Sequence, residues 1–467
     1  MTNVSEKASD ESLDSTYTAH TVPPPQSELP PQDGGLQAWI FLFGASIVEA
    51  VTWGFPFCFG VFRDYYFTHP PFEGDGSLAI VGVMSNGCLQ IWIPFLLQLL
   101  YKRPQYVRPM MWIGLAICVV SSIGGAFSRK PYQMILTQGA LYGTGAGFLF
   151  APILVLMSEW FDKRKSFAYG VMCADIGIGG TFLPTVYSKL LHRYGYRTTL
   201  LGWAVAVLVF TTPALLCIRH RVPPAARSEA TAPRASNFSF FLKPSFYLLG
   251  ASVFIQGMMV DLPGTYLPSF ATDLQLNPTQ GALALSMLNL ATATGQISFG
   301  LFADWSGSFY PSLFLSTILS GLASLLIWGW SSIIASLIIF ALIYGFSAGG
   351  YAVLRGRFSA TVVGNEHDVS QGLMIFGVYT GIRGLGNIAS GFVGTALVDE
   401  RVQAQRGYAW KKWVPLVVFI GLGMFVAAVL GGAQYLVQVL NDRKRNQDSS
   451  AEDVHLDNIE QGLSDNS

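Results

Sequence analysis

Charge is scarce in this chain. Asp, Glu, Lys and Arg make up 12% of its 467 residues, against about 25% in soluble domains. The 28 basic residues balance the 28 acidic ones, so no net charge draws the chain toward nucleic acid. Cysteine is scarce as well. Cys58, Cys88, Cys118, Cys173 and Cys217 lie inside apolar stretches at irregular spacing, as small buried side chains do and as a disulfide or metal framework does not. The six histidines avoid the interiors of those stretches, which argues against a histidine metal site. No P-loop occurs, so uphill work must draw on a gradient rather than on ATP. Two enzyme-like strings lack the setting their chemistry needs. Gly345-Phe346-Ser347-Ala348-Gly349 follows no strand and has no histidine nearby, and Gly384-Leu385-Gly386-Asn387-Ile388-Ala389 has no βαβ unit around it. No enzymatic chemistry, cofactor or metal is therefore expected.

What the chain has is apolar length. Hydrophobic residues reach 51%, and a spanning helix needs roughly 20 mostly apolar residues. Stretches of that kind lie near 38–62, 77–101, 107–127, 132–158, 167–190 and 197–218, then near 246–270, 279–303, 310–330, 332–354, 369–397 and 413–440. Lipid offers no partner for backbone N–H and C=O groups, so such segments must be helices. The alternation of a membrane β-barrel is missing. An all-α integral membrane protein of twelve helices in two six-helix repeats is the expected fold. The expected divisions are a disordered cytosolic tail at 1–36, a six-helix half at 37–218, a cytosolic linker at 219–245, a second half at 246–440 and a disordered tail at 441–467. The first segment is polar, has prolines at 23–25, 30 and 31, and lacks the apolar core of a signal peptide.

Orientation follows from Lys and Arg. With the N-terminus in the cytosol, the tails, the linker and the loops on that side hold 17 of the 28, and the opposite loops hold 10. The excess places both termini inside, in a multi-pass protein of the cell membrane. The sequons Asn3-Val4-Ser5 and Asn237-Phe238-Ser239 are then expected to stay unmodified, and a glycan on either, read as an enzyme-sensitive mass shift, would reverse the orientation.

Four charges lie well inside the spans: Glu49, Asp175, Asp261 and Arg383. Each costs on the order of 3 kcal/mol to insert and usually faces a partner or a water-filled path. In a two-repeat chain, helix 1 corresponds to helix 7 and helix 5 to helix 11, so the four fall on two repeat-related pairs. Two halves with polar residues at mid-depth are the architecture of a rocking carrier. The alternative is structural pairing between halves, for example of Asp175 or Asp261 with Arg383. Glycines four apart, as at Gly139 and Gly143, let helices approach closely.

Asp33-Gly34-Gly35 followed by Trp39, one residue further along, resembles the D-G-G-x-x-W signature of monocarboxylate transporters, a branch of the major facilitator superfamily. Trp160 to Gly170, with Lys163, Arg164 and Lys165 at its centre, resembles that family's second signature. Arg383-Gly384-Leu385-Gly386-Asn387 is similar to the fungal part of the branch. The resemblance covers about residues 33–440 and implies the major facilitator fold. Two features depart from the animal lactate carriers. Phe57 follows Phe55-Pro56 where they have a lysine, and Thr292 and Gln296 replace an Asp-x-x-x-Arg pair just before Ser298-Phe299-Gly300-Leu301. Both cationic anchors and the proton-carrying acid of those carriers are thus replaced.

The polar and aromatic residues expected to line a cavity are Trp53, Phe55, Phe57, Asn86, Gln90, Tyr266, Asn289, Gln296 and Tyr379. Apolar walls with few polar anchors suit a bulky organic ligand. The resemblance implies a secondary active carrier of a small organic solute, anionic if Arg383 holds it, with protons coupled through Glu49, Asp175 or Asp261. Efflux of a fungal secondary metabolite is the first expectation. Proton-linked uptake of a monocarboxylate is the second, and a membrane receptor that transports nothing is the third.

Overall fold

The structure, a computed structural model, describes residues 30–161, 164–222, 238–364, 369–399 and 402–464. Each of the twelve apolar stretches coincides with helix, and no strand occurs among the described residues. In chain order the helices are α1 Leu36–Thr68, α2 Ala79–Lys102, α3 Val107–Phe127 and α4 Pro131–Trp160. A single helical run, Lys165–Cys217, bends at Gly195 (φ 76°), a backbone conformation that glycine adopts without strain. Its two limbs, 165–194 and 196–217, are α5 and α6. There follow α7 Pro244–Asp273, α8 Pro278–Trp305, α9 Tyr310–Trp328, α10 Ile334–Val363, α11 Val369–Leu397 and α12 Val414–Ser464. Among the described residues, nine helical stretches are long and apolar enough to cross a bilayer, α5 and α6 counting once. The helices α8 and α11 stay outside that set. Asn289, Thr292, Thr294 and Gln296 dilute the hydropathy of the first, and Arg383, Asn387 and many glycines that of the second.

The helix α12 continues through 441–464, where the sequence reading expects a disordered tail. Gln, Glu, Leu, Lys and Arg, all good helix formers, recur in that stretch. The tail at 1–29 and most of the linker, 223–237, lie outside the described residues.

Helices α1 to α6 pack mainly among themselves, as do α7 to α12. Across the divide, α2 lies on α11, α5 on α8 and α1 on α7. The crossing of α2 and α11 brings backbone against backbone. A Cβ on Gly87 would stand 2.7 Å from the Gly384 carbonyl oxygen, and one on Gly384 2.7 Å from that of Gly87. Only glycine fits such a crossing without a shift.

The break in α7 has a local cause. Pro263 has no N–H to donate to the carbonyl of Met259 one turn back. That carbonyl accepts the Tyr344 hydroxyl instead, at 3.1 Å. The helix splits into Pro244–Val260 and Leu262–Asp273, with Asp261 at the joint.

The two sequence signatures meet at the end of the bundle that carries the N-terminus. Asp33, with φ 63°, donates its backbone N–H to the Trp160 carbonyl at 2.9 Å. Its carboxylate accepts the backbone N–H of Arg164 at 2.9 Å. Trp39 meets Phe161 edge to face, and Phe41 stacks on Trp160. The start of the linker joins the same knot, because the Trp160 indole donates to the Arg219 carbonyl and the Arg221 guanidinium to that of Pro30, both at 2.9 Å. Gly34 and Gly35 form the turn that lets the chain enter α1; Gly35 has φ 83°. Gly170 sits on α5, and Lys163 lies outside the described residues.

Candidate solute site and gate

The halves are tied together at the end that carries the α1–α2, α7–α8 and α11–α12 loops. Arg63, 2% exposed, donates to the Ser269 hydroxyl and lies 4.3 Å from the centre of the Tyr266 ring. Its neighbour Asp64 accepts the Thr272 hydroxyl at 2.9 Å. One residue on, Asp273 holds the Lys412 ammonium at 3.1 Å and the Trp413 indole N–H at 2.9 Å. Gly60 touches α7 so closely that a Cβ would stand 2.2 Å from the Gly264 carbonyl oxygen. This end of the bundle is closed. The sequence reading ended the first span at 62, so Arg63 and Asp64 passed as loop residues. The signal was an adjacent Arg-Asp pair embedded in Tyr65, Tyr66 and Phe67, aromatics that continue the helix.

At mid-depth a polar cluster sits where α2, α7 and α11 meet. The Asp261 carboxylate, at the α7 break, accepts the Asn86 side-chain N–H. Gln90, one turn along α2, donates to the Asn86 side-chain oxygen at 3.0 Å. Arg383 is within electrostatic reach of Asp261 and of Tyr351 on α10. Its stem packs against Gly257, where a Cβ would come within 3.0 Å of Arg383 Cγ. Asn86, Gln90 and Arg383 are buried, and Asp261 keeps partial access. A pair of opposite charges at this depth, one buried and one partly accessible, is costly to keep. It persists where function needs it or where a ligand completes it.

The other residues singled out in the sequence are dispersed. Glu49 is buried on α1. Asp175 falls on α5, and its side chain lies outside the described residues. Trp53 and Phe57 are half-buried and stacked, with ring centres 5.6 Å apart, and Phe150 of α4 stands edge-on to Trp53. Phe55 is fully buried among Phe59, Phe62, Tyr142 and Trp203. Asn289 bridges the halves, donating to the Gly180 carbonyl at 2.9 Å and to the Phe57 carbonyl at 3.3 Å. Gln296 is half-buried on α8. Tyr266 is buried beneath Arg63 and against Trp413, so it belongs to the closed end. Tyr379 is fully buried, stacked on Phe246, and its hydroxyl donates to the Phe246 carbonyl at 3.2 Å. Tyr379 has its hydroxyl satisfied within its own half, and Tyr266 serves the closed end. Tyr351 and Gln256, both buried, were not singled out, and Asn387, also buried, was read only as the end of the Arg383–Asn387 string. Their uncharged polar side chains look ordinary in a helix until its neighbours are known.

Two helical halves locked at one end around a charged, partly accessible centre form a membrane carrier of the alternating-access kind, not an enzyme. Residues 87–356 match the family model of the Major Facilitator Superfamily, and the chain belongs to that family. It is a multi-pass membrane transporter. It is similar to the agnestins efflux protein AgnL12 of Paecilomyces divaricatus, 27% identical over 90% of this chain and 90% of that protein. It is similar also to the fujikurins efflux protein of Gibberella fujikuroi, 25% identical over 92% of this chain and 88% of that one. The aspyridones efflux protein apdF of Emericella nidulans is 27% identical over 79% of this chain and 73% of its own length. Among solved structures, the nucleoside transporter NupG superposes with a TM-score of 0.65 at 15% identity, covering 86% of this chain and 99% of that one. That likeness concerns the fold.

Proposed function

We propose that this transporter exports a small organic solute of the secondary-metabolite class from a fungal cell, in exchange for protons, through the centre formed by Arg383 and Asp261. The observation that carries the reading is the largely buried Arg383–Asp261–Asn86 cluster, with Asp261 partly accessible, at the break of α7. The relatives named for the efflux of fungal metabolites support the direction. The clasp of Asp33 with Trp160 and Arg164 supports placement in the monocarboxylate transporter-like branch, since it gives both signatures one structural job. Phe57, Thr292 and Gln296, uncharged where lactate carriers have their anchors, speak against uptake of a small monocarboxylate by the same route.

In this reading the cell membrane holds the protein with both termini in the cytosol, so the closed end faces outward. A solute entering from the cytosol sets its anionic group on the Arg383 guanidinium and a hydrogen-bond donor on the Asp261 carboxylate. After the halves rock, a proton from outside competes for Asp261 and the solute leaves. One elementary charge crossing 100 mV gains about 2.3 kcal/mol, enough for a concentration ratio of about fiftyfold.

Acid outside should therefore speed export. In proteoliposomes or cells, lowering the external pH by two units is expected to raise efflux about fivefold or more. Asp261→Asn, which cannot take a proton, is expected to flatten that dependence while the protein still reaches its membrane. An unchanged pH profile in the variant would move the coupling to Glu49 or Asp175.

A further inference from the structure

Beside Arg383 the protein leaves several buried polar atoms unsatisfied. The Asn387 amide, one helical turn from Arg383 and fully buried, has no hydrogen-bond partner at either its nitrogen or its oxygen. The same holds for the side-chain oxygens of Gln90 and Gln256, which are 1% and 0% exposed, and for Nε of Arg383. These groups come from α2, α7 and α11. The backbones that carry them pack together. A Cβ on Gly384, adjacent to Arg383, would stand 3.0 Å from Gln90 Cβ, and Gly257, adjacent to Gln256, packs on Arg383 itself. Native interiors hold few such groups, and each costs about 1–3 kcal/mol. Several gathered round one arginine make a site waiting for partners from outside the chain.

The inventory says which partners. Arg383 Nε and the Asn387 amide nitrogen offer N–H groups, whereas the oxygens of Asn387, Gln90 and Gln256 need to accept. A plain carboxylate would satisfy the first set and leave the second bare. A hydroxyl both donates and accepts. Residues four apart on a helix lie on one face of it, so the Asn387 amide and the Arg383 stem share a face of α11.

We propose that Asn387 is a specificity-determining residue, and that the solute is an organic acid that carries a hydroxyl apart from its anionic group. This rests on the reading of Arg383 as the anion anchor. The acid binds Arg383, and the hydroxyl binds the Asn387 amide with help from Gln90 and Gln256.

The test uses purified full-length protein and two probes that differ by one hydroxyl, benzoate and 3-hydroxybenzoate. Dissociation constants are measured by calorimetry or by ligand-induced thermal stabilisation. The wild type is expected to bind 3-hydroxybenzoate about tenfold more tightly. Asn387→Leu, branched at the same carbon and apolar, is expected to bring that ratio close to one, and Asn387→Ser, which keeps a hydroxyl, to keep part of it. If Asn387→Leu does not fold, Gln256→Met serves for the same ratio, with a smaller loss. Equal binding of both probes by the wild type would mean that water alone fills the site and would overturn the proposal, leaving the anion reading intact. A ratio that survives in the folded Asn387→Leu protein would overturn it as well. Binding of neither probe would sink the anion anchor and this proposal together.

Discussion

Arg383→Lys is expected to lower solute export by about ten- to a hundredfold without reducing the amount of protein in the membrane. Arginine presents a flat fork of donors that grips an anionic group through two parallel hydrogen bonds, and lysine offers a point charge on a flexible stem. Hydrogen bonds to charged groups are worth about 1.5–3 kcal/mol, which sets the expected range. The substitution keeps the positive charge beside Asp261, so the pair itself persists. Its stem also keeps the contact with Gly257. A structural role would therefore tolerate lysine, and a binding role would not. Normal export by the variant, with a normal amount of protein, would assign Arg383 to holding the halves in register. Loss of the folded protein would point the same way.

Gly60→Val should have an effect of similar size by a different route. A Cβ at position 60 would lie 2.2 Å from the Gly264 carbonyl oxygen and 3.1 Å from Pro268 Cδ, far inside normal contact. The clash is between α1 and α7, which belong to different halves. Each half can fold with valine in place, but the two can no longer close at this end. Export is expected to fall at least tenfold, and the variant is expected to rest with this end open. A cysteine at Ser269, beneath Arg63 in the closed state, should then react with an impermeant maleimide applied to that face, and should react slowly when Gly60 is retained. Gly295→Ala makes the contrast. Its Cβ would meet the Phe346 carbonyl oxygen at 2.0 Å, between α8 and α10 of the same half, so that variant is expected to lose folded protein rather than to change its resting state.

Much of this arrangement was legible in the sequence. Apolar length alone specified the helices, because lipid leaves the backbone no other solution. The insertion cost of charge marked Glu49, Asp175, Asp261 and Arg383 before any packing was known. The sequence left open whether Asp175 or Asp261 stands opposite Arg383; Asp261 is within electrostatic reach of it, and the side chain of Asp175 lies outside the described residues. It also gave no reason for Asp261 to sit at a break, although Pro263 two residues on was visible. Which face of a helix meets the other half is a tertiary matter. That is why Tyr266 and Tyr379 read as cavity residues and are buried, one under Arg63 and the other on Phe246. For the same reason Arg63 and Asp64 read as loop and form the closed end. Two signatures more than a hundred residues apart could be recognised one by one. That Asp33 and Arg164 bond to each other required the fold.

The most direct measurement compares organic acids in the medium and inside fungal cells that carry the wild-type protein, Arg383→Lys or no transporter. The account predicts at least one hydroxylated organic acid that reaches the medium only with the wild type and is held back in the cells with the variant, at equal amounts of protein. The same distribution of every such acid in all three strains would contradict it.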